Sequence, residues 1–259
     1  MTGFVEDCCP NRNATRTMSE KPFFVFPKWS NTAVLVALAV GAIVPVYIIA
    51  IVWYGWSART LNVGYQPIQP VPFSHAFHAG KLGINCEYCH SDVKRAAFAA
   101  IPPTQTCMNC HTQIAANSAK LQWLRNSYGT GNPKMAGMPI PWKQVNELPD
   151  YVYFNHAAHV NAGISCLVCH GRVNHMTRVY QAKPLSMDWC LSCHENPGPN
   201  LRPRNEVTNL NWTGKNKVKL AGDLGLTVAT LPKNLGRYLM KRYHVPSTKL
   251  LTDCETCHR

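Results

Sequence analysis

Between Lys28 and Arg59 the chain carries no charged residue, and Thr32–Trp56 is apolar at almost every position rather than on one face. A helix without a polar side has no face for water, and about 25 such residues span the roughly 30 Å of a bilayer's hydrocarbon core. Trp29 at one end and Trp53, Tyr54 and Trp56 at the other match the aromatic belts of a membrane span, and Pro45 is tolerated there. A cleaved signal peptide has an apolar core of about 7–15 residues before a small-x-small site. This stretch is about twice as long and ends in bulky aromatics, so an uncleaved anchor is expected over residues 31–57. Beyond Arg59 the apolar runs are short, and most of the 19 prolines lie there. That density breaks long helices and central strands. The pattern predicts one N-terminal transmembrane helix followed by a domain that is mainly α with extensive irregular chain.

Cysteine changes the picture. Ten of 12 cysteines fall into five copies of Cys-x-x-Cys-His. They are Cys86, Cys89, His90; Cys107, Cys110, His111; Cys166, Cys169, His170; Cys190, Cys193, His194; and Cys254, Cys257, His258. A shuffle of this composition gives about 0.02 copies, so chance is excluded. The pattern is the attachment signature of c-type haem: two sulfurs bond the porphyrin vinyl groups, and the adjoining histidine becomes the proximal ligand of the iron. Structural zinc needs sets of four ligands, and a thioredoxin-like redox pair needs one motif in a βαβ unit. Neither asks for a histidine after every pair. Five covalent haems are therefore expected.

Haem also reinterprets the charge. Lysine and arginine outnumber acids 26 to 13, a formal +13. Each haem with ionised propionates contributes about −1 to −2. Five of them offset much of the excess, and nucleic-acid binding loses its support. Residues 202–242 concentrate nine basic side chains against Glu206 and Asp223. They read equally as a solvated face and as a face that docks a subunit or pairs with propionates.

An internal repeat organises the domain. VPFSHAFHAGKLGINCEYCH, ending at His90, aligns with VYFNHAAHVNAGISCLVCH, ending at His170. Each copy runs on to a second motif. The expected division is a cytoplasmic segment 1–30, the anchor 31–57, and an exported domain 58–259. The exported part comprises a dihaem unit 71–111, a linker 112–150, a dihaem unit 151–194 and a fifth-haem segment 195–259. At about 37 residues per motif no separate apolar core can form around each haem, so the porphyrins are expected to be most of the core. Arg12, Arg16, Lys21 and Lys28 precede the helix, and only Arg59 follows it closely. The positive-inside rule then places the N-terminus in the cytoplasm and the haem domain outside. Cys8 and Cys9 fall on the reducing side.

Six of the 11 histidines lie outside the motifs. His75 and His78, and again His156 and His159, are paired at i and i+3, on one face of a helical turn. His75 precedes Cys86 by 11 residues, and His156 and His244 precede Cys166 and Cys254 by 10. That offset marks His75, His156 and His244 as distal ligands of the haem just downstream. His78 and His159 are expected to reach neighbouring haems, whose identity spacing alone leaves open. His175, Met176 and Met187 are the remaining distal candidates, with Met135 and Met138 in the linker weaker; a thioether ligand would raise a haem's potential.

These residues carry a resemblance. F-x-H-x-x-H before a haem motif is similar to the class III multihaem cytochromes. One N-terminal helix, five motifs, PIPWKQVNELPDYVYFNHAAH and VYQAKPLSMDWCLSCH resemble the pentahaem cytochrome subunit of bacterial alternative complex III. That resemblance implies an exported iron–sulfur subunit of the molybdopterin-enzyme type, polytopic quinol-binding membrane subunits, and a monohaem cytochrome c or small copper protein as acceptor. Members commonly carry histidine at the position of Asn146, a departure that leaves the haem-by-haem pairing open. The expected function is an electron-relay subunit without a catalytic site of its own. Two rivals are a small membrane-anchored multihaem quinol dehydrogenase feeding a periplasmic reductase, and a multihaem enzyme such as a nitrite reductase. The enzyme needs an open distal position, which six spare histidines argue against.

Overall fold

The structure is a computed structural model that describes residues 26–55 and 60–258; Cys8, Cys9, Arg12, Arg16, Lys21 and Arg59 lie outside them. Two compact units are present, divided between Trp53 and Tyr54. Helix α1 (Trp29–Gly55) runs 27 residues through Pro45 with none of them buried. At 1.5 Å per residue it reaches about 40 Å, and it is long and apolar enough to cross a membrane.

Beyond residue 60 the described residues form short helices and no strand; Ile164 and Leu201 make one isolated antiparallel bridge. In chain order come a π-helical turn (Ala76–Lys81), α2 (Cys86–Cys89), α3 (Thr104–His111), α4 (Gln122–Tyr128), α5 (His156–Asn161) and α6 (Cys166–His170). They are followed by α7 (Met187–Glu195), α8 (Lys217–Leu224), α9 (Leu235–Arg242), α10 (Thr248–Leu251) and α11 (Cys254–Cys257). The mainly α class with much irregular chain is borne out. Helices α2, α6 and α11 each begin on the first cysteine of a motif. Asn85, Ser165 and Asp253 cap them, accepting from the amides of Glu87, Leu167 and Glu255 at 2.9, 3.2 and 2.9 Å. A capped single turn holds cysteines at i and i+3 on one side.

The first repeat is one residue longer than the second between its paired histidines and its glycine, Gly83 against Gly163. The π-helical turn absorbs that residue, with Leu82 N–H donating to Phe77 C=O at 2.9 Å. In α5 the equivalent bond is an ordinary i−4 one, from Ala162 to Ala158 at 3.1 Å. A one-residue insertion taken up as a π-bulge leaves the flanking register intact. Ile84 N–H still reaches His78 C=O and Ile164 N–H reaches His159 C=O, both at 3.0 Å.

The two repeats meet through matching residues. Ala76 N–H donates to Met176 C=O at 2.9 Å, and its counterpart Ala157 donates to Ala96 C=O at 3.2 Å. Met176 and Ala96 each lie six residues after their motif's histidine. Asn161 Nδ2 reaches Lys94 C=O at 3.0 Å. In the other copy Gly80 lies so close to Asn174 that an added Cβ would sit 2.2 Å from its carbonyl oxygen, which only glycine avoids.

Apart from Val160, Ile164 and Met176, the buried apolar residues of the stretch 71–194 are few, among them Val71, Met108 and Leu124. The C-terminal segment differs from expectation. Leu201, Leu220, Leu224 and Leu239 join Ile164 in a core made of protein, against which Trp212, Leu235, Tyr238 and Tyr243 pack. Four of the nine basic residues serve this unit internally. Arg202 donates to Asn209 C=O at 2.9 Å and lies over Trp212, and Arg204 lies over Tyr243. Arg242 donates to Leu224 C=O at 2.7 Å, and Lys219 pairs with Glu206.

Candidate haem centres

An imidazole binds iron through Nε2 only when its tautomer carries the proton on Nδ1, which a hydrogen-bond acceptor there enforces. Seven of the predicted ligands have such an acceptor in a backbone carbonyl. His90 meets Ala100 C=O at 2.8 Å, His111 meets Ile114 at 2.9 Å, His194 meets Leu251 at 2.8 Å and His258 meets Tyr151 at 3.0 Å. His78 meets Ser74 at 2.9 Å, His156 meets Ala97 at 2.8 Å and His159 meets Asn155 at 2.8 Å. Ala100 holds a left-handed φ of 55°, a strained conformation that costs an L-residue about 1–2 kcal/mol, at the carbonyl that receives His90.

The phenylalanine of F-x-H-x-x-H has a role that spacing did not disclose. Phe73 meets His75 edge-on at 4.8 Å and stacks on His78 at 4.4 Å. Phe154 repeats this with His156 at 4.8 Å and His159 at 4.5 Å. One rigid ring thus fixes both imidazole planes.

Three pairs of predicted distal and proximal histidines face each other. The ring centroids of His78 and His111 are 6.2 Å apart, those of His156 and His170 6.4 Å, and those of His159 and His194 6.1 Å. A metal–imidazole bond of about 2.0–2.1 Å puts two rings on opposite sides of one metal ion about 6.4 Å apart. The three gaps therefore fit one iron each. In each repeat the second histidine faces the histidine of the repeat's second motif. His75 is the counterpart of His156. Burial brings it down to about pKa 4, followed by the influence of His90, His78 and His170, and its Nδ1 is buried without a partner. His170 is likewise pushed down to about 4 by burial, then by His156 and His90. Both imidazoles are neutral at ordinary pH.

The motifs stand in a continuous file that does not follow the chain. Asn109 of the second motif donates to Tyr88 of the first at 3.2 Å. Burial, then Cys86 and Cys110, lift the thiol of Cys89. The first and third motifs share one anchor: Asn85 donates to Thr208 Oγ1 at 3.5 Å and Cys166 N–H to the adjoining Val207 C=O at 3.4 Å. The thiols of Cys86 and Cys166 interact, which draws Cys86 down and pushes Cys166 up. Helix α5 bridges the third and fourth motifs through His156 and His159. Cys169 is pushed up to about 12 by burial, then by Cys193 and Cys190. Burial followed by Cys257 lifts Cys190, and His194 rests on α10, just ahead of the fifth motif. The spatial order is second, first, third, fourth, fifth.

The other candidates are scattered. His175 and His244 are exposed, the latter at φ 53° after α9. Met187 opens α7 at 65 % exposure, whereas Met176 is 4 % exposed and packs near Gly171. Met135 sulfur accepts from Asn126 at 3.5 Å, and Met138 is half exposed. Asn146 lies beside Nδ1 of His170, with 3.3 Å between that nitrogen and its own Nδ2. The position therefore lies against the histidine of the third motif.

The family described as "Cytochrome c7 and related cytochrome c" matches residues 71–126. The multihaem cytochrome c subunit of menaquinone reductase from Nitratidesulfovibrio vulgaris is 28 % identical over 164 residues, 55 % of this chain and 75 % of that protein. These likenesses support a multihaem c-type cytochrome with haem iron as its cofactor.

Proposed function

We propose that this chain is the electron-transfer subunit of a membrane quinol:acceptor oxidoreductase of the alternative complex III type, carrying five c-type haems, one on each motif. The observation that carries this reading is the set of three histidine pairs at metal-bridging separation within an unbroken file of motifs. A haem, when bound, supplies a one-electron carrier with no need of a substrate position. The chain's own part is to hold and orient. Cysteines at i and i+3 on capped turns present sulfurs to the porphyrin, backbone carbonyls fix the imidazole tautomers, and Phe73 and Phe154 lock the ring planes. His75 with His90 completes the first pair by its equivalence to His156 with His170. At these four motifs both axial positions are taken, which leaves no opening there for nitrite or another small substrate.

The apolar helix α1 anchors the chain in the bacterial inner membrane, N-terminus in the cytoplasm and the haem domain periplasmic. The relative's role in a menaquinone reductase supports a quinone-linked complex. The partners are polytopic quinol-binding subunits, an exported iron–sulfur subunit of the molybdopterin-enzyme type, and a monohaem cytochrome c or small copper protein as acceptor.

The test is purification from a host competent in haem attachment. The expected result is a mass increase of five haems that survives acid–acetone extraction, low-spin iron throughout, and quinol oxidation by the complex but not by the isolated chain. Four haems or fewer would break the motif reading. Rapid quinol oxidation by the chain alone would establish the small quinol dehydrogenase instead, and a high-spin haem that turns over nitrite would establish the enzyme.

A further inference from the structure

We infer that Asn146 is a positioning residue for the third haem, accepting the Nδ1 proton of His170 through its side-chain oxygen and so setting the potential of that haem apart from its neighbours. The inference rests on the reading of Cys166–His170 as a haem motif.

Of the proximal histidines, His90, His111, His194 and His258 all give Nδ1 to a backbone carbonyl. His170 alone faces a side chain, the carboxamide of Asn146. As placed, the amide nitrogen is the nearer end, and Asn146 Oδ1 is buried with no partner. The two ends of a carboxamide differ only by a half-turn, and the hydrogen-bond network decides between them. If Nδ2 donated to Nδ1, the proton of His170 would sit on Nε2 and deny that nitrogen to iron. Ligation through Nε2 requires the opposite, an acceptor at Nδ1. Turning the carboxamide puts Oδ1 at the 3.3 Å position and gives the orphaned oxygen its partner. One rotation satisfies both demands.

The consequence is specific to this centre. An acceptor on Nδ1 raises the basicity of a ligating histidine and favours the more positive metal. A backbone carbonyl is fixed by the fold, whereas a side-chain acceptor can be exchanged without moving the main chain. His170 belongs to the third motif, the middle of the file, so its potential acts on passage between the two halves.

The test compares Asn146→Leu, which keeps the volume and removes the acceptor, with Asn146→Asp, which strengthens it. Each is titrated spectroelectrochemically with haems counted by mass. The expected result is five haems in both variants and movement of one potential only, upward in Asn146→Leu and downward in Asn146→Asp. A tenfold change in the preference for ferric over ferrous iron corresponds to about 59 mV for one electron. A purely structural role predicts shifts of one sign in both variants, or several haems moving together. Either result, or potentials that stay in place, would overturn the assignment. Failure of the underlying haem reading would show separately, as fewer than five haems in the unaltered protein.

Discussion

His156→Ala tests the ligand pairing most directly. The substitution removes an imidazole whose Nδ1–H reaches Ala97 C=O at 2.8 Å and whose ring meets Phe154 edge-on at 4.8 Å. The hydrogen bond contributes about 1 kcal/mol and the aromatic contact about 0.5–1.5 kcal/mol, so the expected loss is about 2 kcal/mol. Ala97 C=O keeps the main-chain N–H of position 156 at 3.0 Å, and alanine suits the first turn of α5. Against the 5–15 kcal/mol typical of a domain, the fold survives. Cys166 and Cys169 are untouched, so the five haems of the proposed reading are expected to stay attached. One of them, paired through the 6.4 Å gap between His156 and His170, loses its distal ligand. The assay is carbon monoxide binding to the ferrous protein, calibrated against haem mass. The unaltered chain is expected to bind almost none and His156→Ala one equivalent. His159→Ala also yields one, from the fourth motif, and the double variant two. A double variant yielding one equivalent would mean that both histidines address a single iron, and the geometric pairing would fall.

Two further outcomes follow from local structure. Gly163 has φ +91° and an added Cβ would lie 2.7 Å from Arg202 C=O, whereas its repeat partner Gly83, φ +68°, has open space. Gly163→Ala should therefore cost about 3 kcal/mol and Gly83→Ala only the left-handed strain of about 1–2 kcal/mol, read by denaturant unfolding; equal losses would refute this. Burial works to raise the pKa of Glu206, but hydrogen bonds from Lys219 and Asn209 and the charge of Arg202 outweigh it and hold the carboxyl below its ordinary 4.5. Its contribution is full above about pH 4.5 and is lost as pH falls through the depressed folded value, so Glu206→Gln should flatten the acid limb of the stability profile. Superimposable acid limbs would contradict that assignment.

The sequence made some of these features plain and concealed others for physical reasons. Five Cys-x-x-Cys-His motifs, the apolar stretch of α1 and the mainly α character were legible because covalent chemistry and hydrophobic length have strict local signatures. The histidine pairs were legible as pairs, since i,i+3 spacing is local. Their partners were not: His78 finds His111 and His159 finds His194 through space. The acceptors at Nδ1 are mostly backbone carbonyls, which every residue possesses and no motif advertises. Asn146 stood out only as a departure from a resembling family, and its place beside His170 depends on the path of the linker. The protein core around Leu220 and Leu239 was missed because its contributors are spread over more than 70 residues among prolines and lysines. The asparagine, serine and aspartate preceding three motifs were readable as caps and were overlooked.

The exchange of matching hydrogen bonds between the repeats has a consequence for direction. Ala76 with Met176 and Ala157 with Ala96 are one contact made twice, and Cys86 meets its own counterpart Cys166. Such an isologous contact implies a local two-fold axis, as between the subunits of a symmetric dimer. About that axis the first four motifs form a palindrome with a haem motif at each end, and an electron relay of that form would have no polarity built into its order. The fifth motif, set beside the fourth, breaks the palindrome. It gives the chain a head and a tail.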